Sequence, residues 1–150
     1  MKEVKTRDLD ALLKQKSLKD IDALLQNELS EDTPSLSAYL EQYLTDRNLD
    51  KGEVIRQSLL SRDYAYAIFN GNRLNPTRDR VIALCLAMHM DPDSAQRALR
   101  LCHAGELYAK DKRDALIIIA LNTKQYDIMA LNSMLHEHEL PILQTSKDAF

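Results

Sequence analysis

Turn-forming residues are scarce in this chain, with only three glycines and four prolines in 150 residues. The prolines, Pro34, Pro76, Pro92 and Pro141, fall between periodic segments and never inside them, as helix punctuation does. A β-sandwich or barrel needs more turns than this, and no strand-length run of Val, Thr and aromatics occurs. Val is scarce and Leu abundant, which favours helix. The expected fold class is therefore all-α.

Start and stop signals divide the chain. Asp91-Pro92 sets a capping residue before a proline at the first helical position. Thr77 plays the cap after Asn75-Pro76, and Asp50 with Glu53 three residues on resembles a capping box. Ser17 with Asp20, and Ser61, read as further starts; Gly71 and Gly105 read as stops. The pattern predicts helices at 4–15, 18–28, 36–47, 51–58, 62–70, 77–88, 92–103, 112–122 and 125–137. Residues 29–35 read as a linker. The echo of Asp8-Leu-Asp-Ala-Leu-Leu in Asp20-Ile-Asp-Ala-Leu-Leu reads as two similar amphipathic helices, since it goes no further.

Three segments follow: an acidic N-terminal helical pair and linker (1–34), a main domain (35–104) and a helical extension (105–150). With 45 % apolar and 29 % charged residues the chain has an ordinary globular composition. The net charge is −3, yet residues 47–80 hold seven basic and four acidic residues. Such a chain is no polybasic sponge for nucleic acid, but it can carry a basic face. No apolar run, that of Ala115 to Leu121 included, is long enough to cross a bilayer, so no membrane partner is expected. The chain opens on no signal-peptide pattern, and its two cysteines are expected as free thiols in a reducing cytoplasm.

The stretch Leu49–Gly71 carries the functional information. A short helix (51–58) sets Val54, Ile55 and Ser58 on one face; Leu59-Leu60 makes a tight connection; Ser61 caps a second helix. That helix buries Ala65 and Ile68, with Phe69 at its margin, and turns Arg62, Asp63 and Tyr66 outward near its N-terminus. Helix, short turn, helix is the arrangement that presents a helix N-terminus to a DNA major groove. Tyr64 and Tyr66 read as half-buried packing residues rather than base-stacking ones.

Residues 36–102 resemble the helix-turn-helix domain of the lambda-repressor/Cro (XRE) class, and the spacing from Leu49 through Ala67-Ile68-Phe69-Asn70-Gly71 fits that class without a gap. The resemblance implies a five-helix core and a sequence-specific DNA-binding regulator of transcription, of prokaryotic, nucleoid-associated kind. It implies a homodimer on a palindromic operator. Lys51 stands where the class has a bracing Gln, and Arg62 and Asp63 stand where members touch base edges. Tyr66 lies one turn on, and Arg73 stands in the loop from which a member of the class reaches the major groove. Asn70 matches a phosphate-bonding position, and Arg78 and Arg80 are placed for phosphate near the next helix start. Departures are Ile55 for the usual Ala, Leu59 for the turn Gly and Phe69 for the usual Glu. The alternative is a non-enzymatic adaptor that turns the same helices to a protein, such as a kinase or another regulator.

Other chemistry finds little support. Cys85 and His89, with Cys102 and His103, could offer metal ligands, but Cys85 sits on an apolar face and structural zinc sites space their ligands more tightly. His136 and His138 would point apart on a helix. No glycine-rich phosphate loop and no Ser, His and acid trio stand out, so neither enzyme nor cofactor is expected. The run Ala115–Leu121 is apolar all round, so its helix should be buried on most sides. Residues 105–150 either complete the core or form a dimer interface. The N-terminal pair is a candidate for dimerisation, partner binding or signal sensing, with Ser30, Thr33, Ser35 and Ser37 in an acidic stretch before a helix.

Overall fold

The computed structural model describes residues 33–146, and among them it is all-α. Seven helices follow one another: α1 (Leu36–Arg47), α2 (Lys51–Ser58), α3 (Arg62–Phe69), α4 (Arg78–Ala87), α5 (Pro92–Leu101), α6 (Lys112–Asn122) and α7 (Ile128–Glu137). The contacts divide the chain between Pro34 and Ser35, and all seven helices lie in the second unit. The two helices expected at 4–15 and 18–28, with Ser17, Asp20 and Ser30, lie outside the described residues. No described helix is long and apolar enough to cross a membrane.

The helix starts follow the capping chemistry. Ser35, Asp50, Ser61, Asp91, Asp111 and Asp127 each accept a backbone N–H from the first turn of the following helix. Thr77 occupies the cap of α4 without a side-chain bond. Glu53 does not return the bond to Asp50 that a full capping box requires; it receives Arg56 and Gln57 instead. The helix ends share a device that the sequence hides. Asn48, His89, His103, Lys124 and Glu139 all take left-handed φ, between 54° and 61°. After each, the next N–H returns to the carbonyl five residues back, as in Met90 to Cys85 and Ala104 to Leu99. Gly105 is therefore not the stop of α5; His103 is, and Gly105 lies in the loop beyond. Likewise α7 starts at Ile128 rather than 125, because the turn at Lys124 must unwind before Asp127 can cap.

α4 is the buried centre. Every residue from Val81 to Met88 is buried, Cys85 completely, and that burial pushes the Cys85 thiol well above its ordinary range. α2 and α5 pack directly on α4, and α1 covers α3 and α5. Tyr39 of α1 donates its hydroxyl to the Ser94 carbonyl of α5 at 3.0 Å. The extension joins the same core through Ile117, Leu121, Leu131, Leu135 and Leu143. The expectation for the apolar run in α6 is corrected here. Ile117 and Leu121 are buried, but Ile119 is 53 % exposed and Leu116 and Ile118 only half-buried. The helix lies on the surface of the core and leaves one apolar face open.

Two reciprocal ion pairs fasten α6 to α4. Arg78 binds both Asp114 oxygens at 3.0 and 2.7 Å and gives two further N–H groups to the Gly105 and Glu106 carbonyls. Arg113 binds both Asp79 oxygens at 3.1 and 3.0 Å and the carbonyls of Pro141 and Ile142. Bidentate pairs of this kind fix geometry as well as energy. Burial raises the Asp114 pKa, but the hydrogen bonds from Arg78 and the Tyr108 amide and the nearby arginine charges outweigh it, leaving the group below its usual value. The stability from this ionisation is complete above the ordinary value of 3.8 and is lost as pH falls through the depressed one. Asp114→Ala leaves Arg78 half-buried without its carboxylate and should cost about 2–4 kcal/mol. Urea unfolding at neutral and acid pH checks both points; a variant as stable as the parent at neutral pH contradicts the clamp.

Candidate nucleic-acid interface

The α2–turn–α3 unit is built from both hydrophobic and local polar contacts. Val54, Ile55 and Ser58 are buried on α2, and Ala65, Ile68 and Phe69 on α3. Phe69 is 2 % exposed, so it is a core residue and not marginal; its carbonyl accepts the Ser37 hydroxyl of α1. The larger Ile55, in place of the small residue usual in the resembling class, is accommodated at 2 % exposure. Buried Ser58 donates to the Ile55 carbonyl at 2.6 Å and accepts the Leu60 N–H at 3.2 Å, which ties down the turn. Leu59 adopts φ 63°, ψ 10°, so the left-handed turn residue is present without glycine. Its side chain stays 44 % exposed, and the turn carries the local strain of a non-glycine residue in that region.

The sequence-predicted residues separate into three groups. Arg62, Asp63 and Tyr66 lie on the exposed face of α3, with the Arg62 guanidinium 5.8 Å from the Tyr66 ring centre. Arg73 and Arg80 join them through Tyr64, whose ring takes the Arg73 guanidinium at 4.5 Å and that of Arg80 at 4.2 Å. The Tyr64 hydroxyl accepts the Thr77 amide at 3.1 Å and links the starts of α3 and α4. Burial pushes the Tyr64 pKa up, but hydrogen bonds from Arg80 and Thr77 and the two arginine charges bring it below the ordinary tyrosine value. Tyr66 is 38 % exposed, so only Tyr64 of the two is a packing residue.

Lys51 and Asn70 form the second group, engaged but at the margin. Lys51 pairs with Glu41 of α1 and sits 5.2 Å from the Phe69 ring centre. Asn70 caps α3 and accepts the Asn72 N–H at 3.0 Å, while Gly71 supplies positive φ just beyond. Arg78 stands alone in the third. Four of its N–H groups are spent on Asp114, Gly105 and Glu106, so it holds the fold together and is not available as expected for phosphate.

Arg62, Arg73 and Arg80 make no ion pair among the described residues, and with Asp63 they leave this surface net positive. Arg73 and Arg80, though not Arg62, border a cleft of 620 Å³ between the α2–α3 turn and the chain's last described residues, lined also by Ser61, Asp63 and Tyr64. Two lining elements escaped the sequence reading: Tyr64 as the platform for two arginines, and the segment Thr145–Ser146. An arginine-flanked tyrosine is a signal only once the loop 70–77 is closed, and nothing local marks the tail. Among the described residues no group of three His, Cys, Asp or Glu could hold a metal ion.

Comparison with protein-family models, curated proteins and solved structures gives no match.

Leu59→Gly relieves the left-handed strain but adds backbone freedom, so it should change stability by less than about 1 kcal/mol. Leu59→Val puts a β-branched residue at positive φ and should cost about 1–3 kcal/mol. Equal losses in urea unfolding would show that the Leu side chain, not the backbone, governs the turn.

Proposed function

We propose that the chain is a lambda-repressor/Cro-like helix-turn-helix protein that binds duplex DNA sequence-specifically and regulates transcription. The observation that carries this reading is the exposed start of α3, where Arg62, Asp63 and Tyr66 face outward beside Arg73 and Arg80. A helix presented end-on by a tight turn suits the major groove. On this reading α1 to α5 form the five-helix core. Arg62 reads a base edge through its paired donors, as arginine does with guanine O6 and N7. Asp63 can accept from cytosine N4, and Tyr66 lies along the groove. Arg73 and Arg80, both held over the Tyr64 ring, turn their remaining N–H groups to the phosphodiester backbone. Lys51 and Asn70 flank the helix. Phosphate contacts hold register, and base contacts choose the sequence.

The same reading makes the protein a cytoplasmic homodimer without enzymatic activity. Two-fold symmetric regulators place two such helices one DNA turn apart. The open face of α6 at Ile119 and exposed Met129 of α7, 68 % exposed, support self-association.

Arg62→Ala should weaken binding to the cognate sequence by about 1–3 kcal/mol and relax preference at one base position. Arg80→Ala should weaken all sequences about equally and flatten the salt dependence by about one unit. Titration of cognate and scrambled duplexes at several salt concentrations distinguishes them. Identical behaviour of the two variants on both duplexes contradicts the assignment of roles.

A further inference from the structure

The chain after α7 is held at four successive residues. Arg113 donates to the Pro141 and Ile142 carbonyls at 2.8 and 3.1 Å. Leu143 is buried, and its N–H donates to Asn132 Oδ1 at 2.9 Å. The Gln144 N–H donates to Asp79 Oδ2, also at 2.9 Å. Asp79 is thus shared between Arg113 and the tail, and it lies on the first turn of α4 next to Arg80. This anchoring delivers half-buried Thr145 and exposed Ser146 to the 620 Å³ cleft bordered by Ser61, Asp63, Arg73 and Arg80. A tail that only closed the core would need nothing beyond Leu143, the last buried apolar residue described.

We infer that Thr145 and Ser146 form one wall of a backbone-phosphate site, so that a DNA strand passing the start of α3 is gripped by Arg73 and Arg80 on one side and by tail hydroxyls on the other. The inference rests on the DNA-binding reading above. Ser and Thr hydroxyls and backbone N–H groups share phosphate binding with arginine wherever a strand lies against protein. The two guanidiniums outweigh the Asp63 carboxylate in the same cleft. The grip is indifferent to sequence, because a phosphodiester is the same at every step. It also gives residues 105–150 a part in binding that neither core completion nor dimerisation supplies.

The test uses the full chain with Thr145→Val and Ser146→Ala combined, titrated with a mixed-sequence duplex at several salt concentrations. The account predicts binding weaker by about tenfold, since hydrogen bonds to a charged group are lost. It predicts an unchanged salt slope, because hydroxyls release no counterions, whereas Arg73→Ala lowers the slope by about one unit. Ser146→Asp sets a like charge against the phosphate and should weaken binding by about tenfold or more, with urea unfolding confirming that the variant is folded. Ser133→Ala, on the exposed face of α7, should bind as the parent does. If the parent binds duplex and the double variant and Ser146→Asp bind it equally well, the tail inference fails alone. If the parent binds no duplex at any salt, the DNA-binding reading fails and takes the tail inference with it.

Discussion

A helix with no outward face organises this protein. From Val81 to Met88, α4 is enclosed completely, and a helix apolar all round can persist in water only if others cover every side of it. α2 and α5 supply much of that cover directly. Only the first turn of α4 reaches the surface, and there three consecutive residues hold other parts of the molecule. Arg78 takes Asp114 of α6, Asp79 takes Arg113 of α6 and the Gln144 amide of the tail, and Arg80 takes the Tyr64 ring of α3. The start of α4 is a junction at which the turn unit, the extension and the tail meet.

That junction explains how a modest surface can be well defined. α3 has only eight residues, too few to be stable alone, and its position depends on Ala65, Ile68 and Phe69 in the core and on Tyr64 at the junction. Contact with the Tyr64 ring restricts Arg73 and Arg80, so less side-chain freedom is lost when they meet a ligand. The two ion pairs at the start of α4 are partly buried, and their bidentate geometry fixes how α4 and α6 meet. Here the arrangement they specify brings α3, two arginines and the tail to one cleft. The proposed ligand, a strand of duplex DNA, would use both the exposed helix start and the arginine-lined cleft.

Much of the fold is legible in the sequence because capping and periodicity act locally. Asp50, Ser61 and Asp91 announce helices that are present, and Val54, Ile55 and Ser58 show the buried face of α2. What is not legible depends on partners distant in sequence. The dipeptide Arg-Asp stands in the first turn of three helices, at 62–63, 78–79 and 113–114. Two of these exchange partners across the α4–α6 contact, and the third faces solvent. Nothing local separates them, so Arg78 reads as a surface cation when it is a clamp. The left-handed stops are hidden for another reason. Asn48, His89, His103, Lys124 and Glu139 do a job usually marked by glycine, and only the closed backbone bonds reveal it. The apolar run of α6 misleads because composition gives the hydrophobicity of a helix but not how many neighbours it meets; Ile119 meets too few.

The central claim is that the exposed start of α3 and the arginines beside it read duplex DNA. The most direct measurement is selection of genomic fragments by the purified full chain at two salt concentrations. The account predicts recovery of one palindromic sequence, bound more tightly than random DNA, with affinity falling linearly in the logarithm of salt. Recovery of no common sequence, with no salt-dependent affinity for any fragment, would contradict it and leave the same surface to a protein partner.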